Sequence, residues 1–431
     1  MASAEVVLGF LEQVEPWRLR SSQFPSKVGG KPAWLSQTGL PSQSALECDI
    51  CGVPMVFLLQ VYAPISGQER SFHRILFLFC CKTPDCYTLN DNRCMKGNFK
   101  CSIAIPFLHS TGVAVSCINC LIDTEQFFFS VTPVFRSQLP RRNEFYPYEP
   151  PPEDEPPSDP EDQTMLPISG VKLCWVCGCP GSKACSRCHA VTYCVKHHQA
   201  IHWKHSHKRE CGNPGTLVLS LTQESCSWLL THAEKLVLFT FICFPVDLST
   251  VATSPLLFPE FELVTEPEEE EKEEEDQGKD SEGQPGDEDS NQKSVASSSL
   301  ANTLAETDLE DMAMHETEEN KVFQRFKKKI ASEPHQVIRY CQGGSPLWVS
   351  AQHVPSDQDI PPCTCGAKRM FEFQVMPQLL NDLSVDSTGA SIDWGTLVVY
   401  TCSASCNHDN QYCQEFIWKQ DFGPDTKTKD K

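Results

Sequence analysis

Cys48-Asp49-Ile50-Cys51-Gly52-Val53-Pro54-Met55-Val56-Phe57-Leu58-Leu59-Gln60-Val61-Tyr62 sets a cysteine pair and a glycine directly before an apolar run. Cys363-Thr364-Cys365-Gly366, followed by residues 370–376, repeats that arrangement. Counted from the second cysteine, Phe57 matches Phe371, Leu59 matches Phe373, and Gln60-Val61 matches Gln374-Val375. Residues 76–79 before Cys81 parallel residues 397–400 before Cys402, and Cys86 and Cys406 close the two sets. Phe135-Arg136-Ser137-Gln138 then looks like Phe416-Ile417-Trp418-Lys419. Aromatic-rich runs of this length read as strands. A cysteine pair, two strands and a second pair outline a zinc ribbon, where the metal ties two hairpin turns together. Two candidate ligand sets follow: Cys48, Cys51, Cys81 and Cys86, and Cys363, Cys365, Cys402 and Cys406. Cys81 is preferred to Cys80 because it aligns with Cys402. Such self-similarity predicts two related halves of one scaffold. Each has little core alone, so they are expected to pack together. The expected fold is therefore mostly β with few helices (α+β).

Between the halves, cysteines and histidines recur at short intervals: Cys174-x2-Cys177, Cys185-x2-Cys188, Cys194-x3-His198 and His207-x3-Cys211. A two-residue gap turns both thiolates onto one ion, and a three-residue gap does so from one helical turn. Four soft S/N donors suit tetrahedral zinc and leave no open position for water or substrate. Four pairs can fill two zincs in sequence or interleaved. Tyr193-Cys194 and the helical look of residues 196–203 resemble the MYND zinc finger, a family of interaction modules. That resemblance implies the interleaved pairing, with Cys174, Cys177, Cys194 and His198 on one zinc and Cys185, Cys188, His207 and Cys211 on the other. His189, His197, His202 and His205 match no ligand position and read as solvated or packing residues, and Cys179 has no assignment. Lys183, Arg187, Lys196, Lys204, Lys208 and Arg209 make the module locally basic.

The whole chain, however, is acidic, with 57 Asp+Glu against 36 Lys+Arg in 431 residues and a formal charge of -21. Such a surface repels nucleic-acid phosphate and favours basic partners. Residues 1–10 lack the basic stretch of a secretory leader. With 24 cysteines kept reduced, paired thiols point to metal rather than disulfides. No apolar run reaches the roughly 20 residues that a spanning helix needs. No glycine-rich cofactor loop or catalytic constellation is visible, so no enzyme is expected. The expected layout is an N-terminal β half (1–145), a Pro/acidic linker (146–170), the finger (171–212) and a connecting segment (213–265). An acidic disordered linker (266–304) and a C-terminal helix plus β half (305–424) complete it. In that helix Val322, Phe326 and Ile330 fall four apart, Phe323 broadens the stripe, and Pro334 ends it. Residues 87–133 read as an insertion, because the second half has no counterpart to them, and 216–254 as another. Cys117-x2-Cys120 lies in the first without a partner pair.

With these elements placed, the chain resembles the programmed cell death protein 2 family. The residues that carry the resemblance are 24–34, 134–142, the MYND knuckles, 363–380 and 391–395. Both apolar insertions depart from the family pattern. The resemblance implies a nuclear and cytoplasmic protein of ribosome biogenesis, linked to proliferation, stem-cell maintenance and apoptosis. Its members look like dedicated chaperones for a newly made, basic small-subunit ribosomal protein. The expected cofactors are two Zn2+ in the finger and one in each β half; a monomer is expected, and no membrane or nucleic-acid partner. The alternative is a nuclear transcriptional adaptor that binds Pro-rich corepressor peptides through the finger.

Overall fold

A computed structural model of the protein describes residues 5–87, 133–151, 171–212, 256–269, 318–385, 391–407 and 411–422. Its strands are β1 (Val7–Glu12), β2 (Lys27–Val28), β3 (Val56–Tyr62), β4 (His73–Cys80), β5 (Val134–Leu139), β6 (Lys183–Ala184), β7 (Thr192–Tyr193), β8 (Phe261–Pro267), β9 (Ile338–Tyr340), β10 (Arg369–Val375), β11 (Thr396–Cys402) and β12 (Cys413–Gln420). All but β6 and β7 close into one barrel, in the order β1-β8-β2-β3-β4-β5-β12-β11-β10-β9.

The expected halves are joined more intimately than by packing. Antiparallel pairing of β5 with β12 makes one seam between them. The other seam is crossed: β1 pairs with β9 of the C-terminal half, while β8 pairs with β2 of the N-terminal half, and β1 and β8 pair with each other. The C-terminal half thus borders on a strand from the N-terminal part of the chain, and the N-terminal half on a strand from the segment between the halves. The segment expected to connect, 213–265, supplies most of β8, and the strand continues through Glu266 and Pro267 of the expected acidic linker.

Strand registers repeat between halves. Gln60 faces Phe77 as Gln374 faces Val398, and both hairpins carry a bulge, between Phe57 and Leu59 and between Phe371 and Phe373. One matched pair shifts. Phe77 faces Phe135 where Val398 faces Trp418, so the counterpart of Phe135 is Trp418 rather than Phe416. A two-residue slip keeps every side chain on its face, which is why residue likeness could not expose it.

Along β3, β4, β5 and β11 both faces of the barrel wall are buried, and successive side chains divide between two cores. Leu76, Leu78, Phe373, Val375, Leu397 and Val399 turn to the interior cluster. Phe57, Phe77, Phe79 and Phe135 turn outward into a cluster that also contains Cys174, Val176, Cys177 and Tyr193 of the finger. A smaller outer cluster on the second half gathers Phe371, Val398, Tyr400 and Phe416. Inside the barrel, the Arg74 guanidinium meets the Glu372 carboxylate, both fully buried, with one N–H···O distance of 2.7 Å. Glu372 sits in the β10 bulge, and also accepts hydrogen bonds from Thr401 Oγ1 and, at 3.0 Å, from the Tyr340 hydroxyl.

The helix at Glu318–Ala331 buries Phe326. The expected linker at 146–170 begins later than its first residue, since Tyr146 is buried and donates its hydroxyl hydrogen to the Leu35 carbonyl at 2.8 Å. Most of both expected insertions, with Cys117 and Cys120, and most of the acidic linker lie outside the described residues.

Candidate metal centres

Each sequence-derived ligand set comes together in space. Ligand atoms of Cys48, Cys51, Cys81 and Cys86 lie within 4.8 Å of one another, as do those of Cys363, Cys365, Cys402 and Cys406. The same holds for Cys174, Cys177, Cys194 and His198, and for Cys185, Cys188, His207 and Cys211. Sulfur–sulfur separations run from 3.5 Å for Cys363–Cys406 and Cys365–Cys402 to 3.8 Å for Cys48–Cys86 and Cys185–Cys211. A tetrahedron with Zn–S bonds of about 2.3 Å has edges of about 3.8 Å, so the donor sets fit that ion.

Local structure explains the convergence. In each two-residue knuckle the chain folds back so that a backbone amide just beyond the second cysteine reaches the first cysteine's carbonyl: Gly52 to Cys48 at 2.7 Å, Gly178 to Cys174 at 2.8 Å, His189 to Cys185 at 2.9 Å. That turn needs a left-handed residue, and Gly178 has φ +69° with a would-be Cβ 3.0 Å from Lys31. The hairpin β6–β7 places Cys185 and Cys194 just past its strands. The helix Lys196–His202 presents His198, and a π turn at Trp203–His207 presents His207.

Thiols in these sets are unequal. Although burial would raise it, the Val53 amide and Thr83 hydroxyl bring Cys51 down to about 7. In the same way the Cys188 amide and His207 overcome burial and bring Cys185 to about 6. At Cys365 the Ala367 amide leads in lowering the thiol to about 7. Burial pushes Cys48 up to about 11, against its own knuckle amides. Such sets bind a cation with release of protons. Cys80 faces away from them into the barrel, where burial pushes it up to about 12. Around the fourth set, Arg136 of β5 donates to the Cys406 carbonyl at 2.8 Å and to its sulfur at 3.3 Å, while its Nε meets Glu415 at 2.6 Å. The N-terminal half thereby supports the C-terminal centre.

The finger is fastened to the N-terminal half. Trp34 donates its indole N–H to the Gly178 carbonyl at 2.8 Å, and Lys31 donates to the Trp175 carbonyl at 2.6 Å while lying over the Trp175 ring. Trp175 stacks in turn on His202 at 3.5 Å. His202 is a buried packing residue, whereas His189, His197 and His205 are exposed. Sequence reasoning missed this contact. Its signal was present, since Gly29-Gly30-Lys31-Pro32-Ala33-Trp34-Leu35-Ser36 recurs as Gly343-Gly344-Ser345-Pro346-Leu347-Trp348-Val349-Ser350 at the spacing that relates Cys51 to Cys365. The folds agree: the Gln60 amide oxygen accepts from the Ala33 N–H at 2.9 Å, as Gln374 does from Leu347 at 2.6 Å.

Fold and centres define a class, a zinc-finger protein whose finger is docked on a closed β barrel. Comparison with known proteins then places the chain. Residues 5–153 match the programmed cell death protein 2 N-terminal domain, 320–421 its C-terminal putative domain, and 174–211 the MYND finger. Programmed cell death protein 2 of Bos taurus is 43% identical over 419 residues, covering 96% of each chain; that of Mus musculus is 41% identical over 420 residues, covering 97% of each. The chain belongs to the programmed cell death protein 2 family. A Schizosaccharomyces pombe protein, the probable 20S rRNA accumulation protein 4, is 34% identical over 98 residues, covering 20% of this chain and 24% of that one. No solved structure matches. Among the described residues, no helix is long and apolar enough to cross a membrane.

Proposed function

We propose that this chain is a non-enzymatic chaperone in ribosome biogenesis, which binds a newly made basic small-subunit ribosomal protein in the cytoplasm and nucleus. It acts as a monomer holding four zinc ions, two in the finger and one at each β half. The name of the fission-yeast relative supports the pathway. An acidic chain suits a client that would otherwise seize RNA wherever it met it. The observation that carries the reading is the docking of the finger: Lys31 and Trp34 already occupy the knuckle at 174–178. That favours recognition by the assembled barrel over a free peptide-binding finger, the basis of the corepressor-adaptor alternative.

Tagged full-length chain, recovered together with nascent chains and quantified by mass spectrometry, tests the reading. It expects one small-subunit ribosomal protein enriched far above its ribosomal stoichiometry. Even recovery of all ribosomal proteins, or of none, refutes it. Selective recovery of Pro-rich nuclear proteins instead, lost with residues 171–212, would favour the adaptor.

A further inference from the structure

The internal repeat gives the finger's docking site a counterpart. At one constant spacing, Pro32, Trp34, Leu40 and Leu46 correspond to Pro346, Trp348, Val354 and Ile360. The backbone follows even at an unusual point, since Gly39 has φ +64° and its counterpart His353 has φ +55°. Leu40 and Leu46 pack into the outer cluster that the finger completes. On the C-terminal half no finger is present among the described residues. Val354 is 44% exposed, and among the described residues the Trp348 indole N–H, whose counterpart grips Gly178, has no hydrogen-bond partner. Residues 345–347, just before Trp348, line a cleft of about 620 Å³ together with Val6, Phe371 and the charged Glu5, Glu268, Lys329 and Arg339, while Trp348 itself packs, half-buried, on the outer cluster that holds Phe371.

One substitution between the repeats indicates the occupant. Lys31 sets its ammonium over the Trp175 ring and donates to the Trp175 carbonyl, inside the Cys174–Cys177 knuckle, which suits an anionic zinc–thiolate module. Its counterpart is Ser345. The cations that do line the cleft, Lys329 and Arg339, are both committed to Glu268, whereas Glu5 makes no ion pair among the described residues. From Glu268 the chain continues directly into its carboxylate run, Glu269-Glu270-Glu271-Lys272-Glu273-Glu274-Glu275-Asp276. The site has therefore lost the cation that an anionic module needs and sits at the origin of the most acidic segment.

We propose that the cleft at Ser345–Leu347 and the adjoining face of Trp348 form the client-docking surface: the cleft receives a basic segment of the ribosomal protein, which offers a backbone carbonyl to Trp348 and apolar side chains to the neighbouring Val354 and Ile360. The proposal rests on the chaperone reading and assigns it a face. A central aromatic anchor in such a contact is commonly worth tenfold or more in affinity.

The test uses full-length chain, wild type and two variants, translated together with the small-subunit ribosomal protein that the wild type enriches. Trp348→Ala removes the anchor. Ser345→Lys, at an exposed position, restores the cation of the other repeat and repels a basic segment without touching the core. Expected is a loss of recovery of about tenfold or more for both, with zinc content unchanged for both and the melting temperature unchanged for Ser345→Lys. Recovery at wild-type level by Ser345→Lys overturns the cleft while leaving the chaperone reading standing. Failure of the wild type to enrich any ribosomal protein overturns both.

Discussion

Replacing Glu372 by Gln should be among the most damaging conservative changes in the molecule. The carboxylate is fully buried inside the barrel and is the charge partner of Arg74, itself fully buried. Glutamine keeps the shape and one acceptor but leaves a guanidinium without a counter-ion where water cannot reach it. Breaking one partner of a buried pair costs about 3–5 kcal/mol. At roughly 2–4 °C per kcal/mol for a domain of this size, melting should fall by roughly 6–20 °C, read by circular dichroism in excess zinc. The double change Arg74→Met/Glu372→Leu removes both charges and should recover most of that loss. Acid supplies a second reading. Despite burial, the Arg74 hydrogen bonds and charge hold Glu372 below its ordinary value of 4.5. A carboxylate lowered in the fold stabilises above its unfolded pKa, and that contribution disappears as pH falls through the folded value. The gap between wild type and Glu372→Gln should therefore be full at neutral pH and close in acid. A single variant that melts with the wild type, or a double variant no better than the single, would refute the reasoning.

Metal analysis of the purified chain should return one zinc for each of the four Cys/His sets, and Cys81→Ser should remove one ion while leaving those of the finger. Loss of more than one would show that the centres are interdependent. Trp34→Phe keeps the ring contacts but loses the hydrogen bond to Gly178, a change of about 1–2 kcal/mol; hydrogen exchange should quicken across 174–211 and stay unchanged in β11. His73 stacks on Phe24 at 4.0 Å, and burial, helped by Arg141, holds it down to about 4. Because the unfolded chain takes up that proton first, stability present above about pH 6.5 is lost as pH falls toward 4; His73→Phe should flatten the slope of urea midpoints across that window.

Much of the chemistry was legible because metal ligation imposes strict spacing. Cys51 and Cys365 each precede a glycine and a strand, and that alone paired two stretches more than 300 residues apart. The bulges at Phe57 and Phe371 preserved the match through the hairpins. Closure of the barrel was less visible. Strand β2 has two residues, and β8 abuts a carboxylate run, so neither carries a periodic pattern long enough to announce a strand. Nor could burial on both sides of β4 be read, since its outer phenylalanines are covered by Trp34 and the finger, from distant parts of the chain. Trp34 itself shows no metal-like spacing, and only comparison with Trp348 reveals its role.

The crossed seam has a consequence for how the protein is made. Val7 is among the first residues to leave the ribosome, yet its partners are Pro267 and Tyr340. At about 5–20 residues per second, β1 waits on the order of ten seconds or longer before either neighbour exists. Until then the edges of both β1 and β2 stand open to any stray strand. A transcript that stops short of residue 261 leaves them open permanently. This protein, proposed to shelter another nascent chain, passes through its own synthesis in a form that needs sheltering.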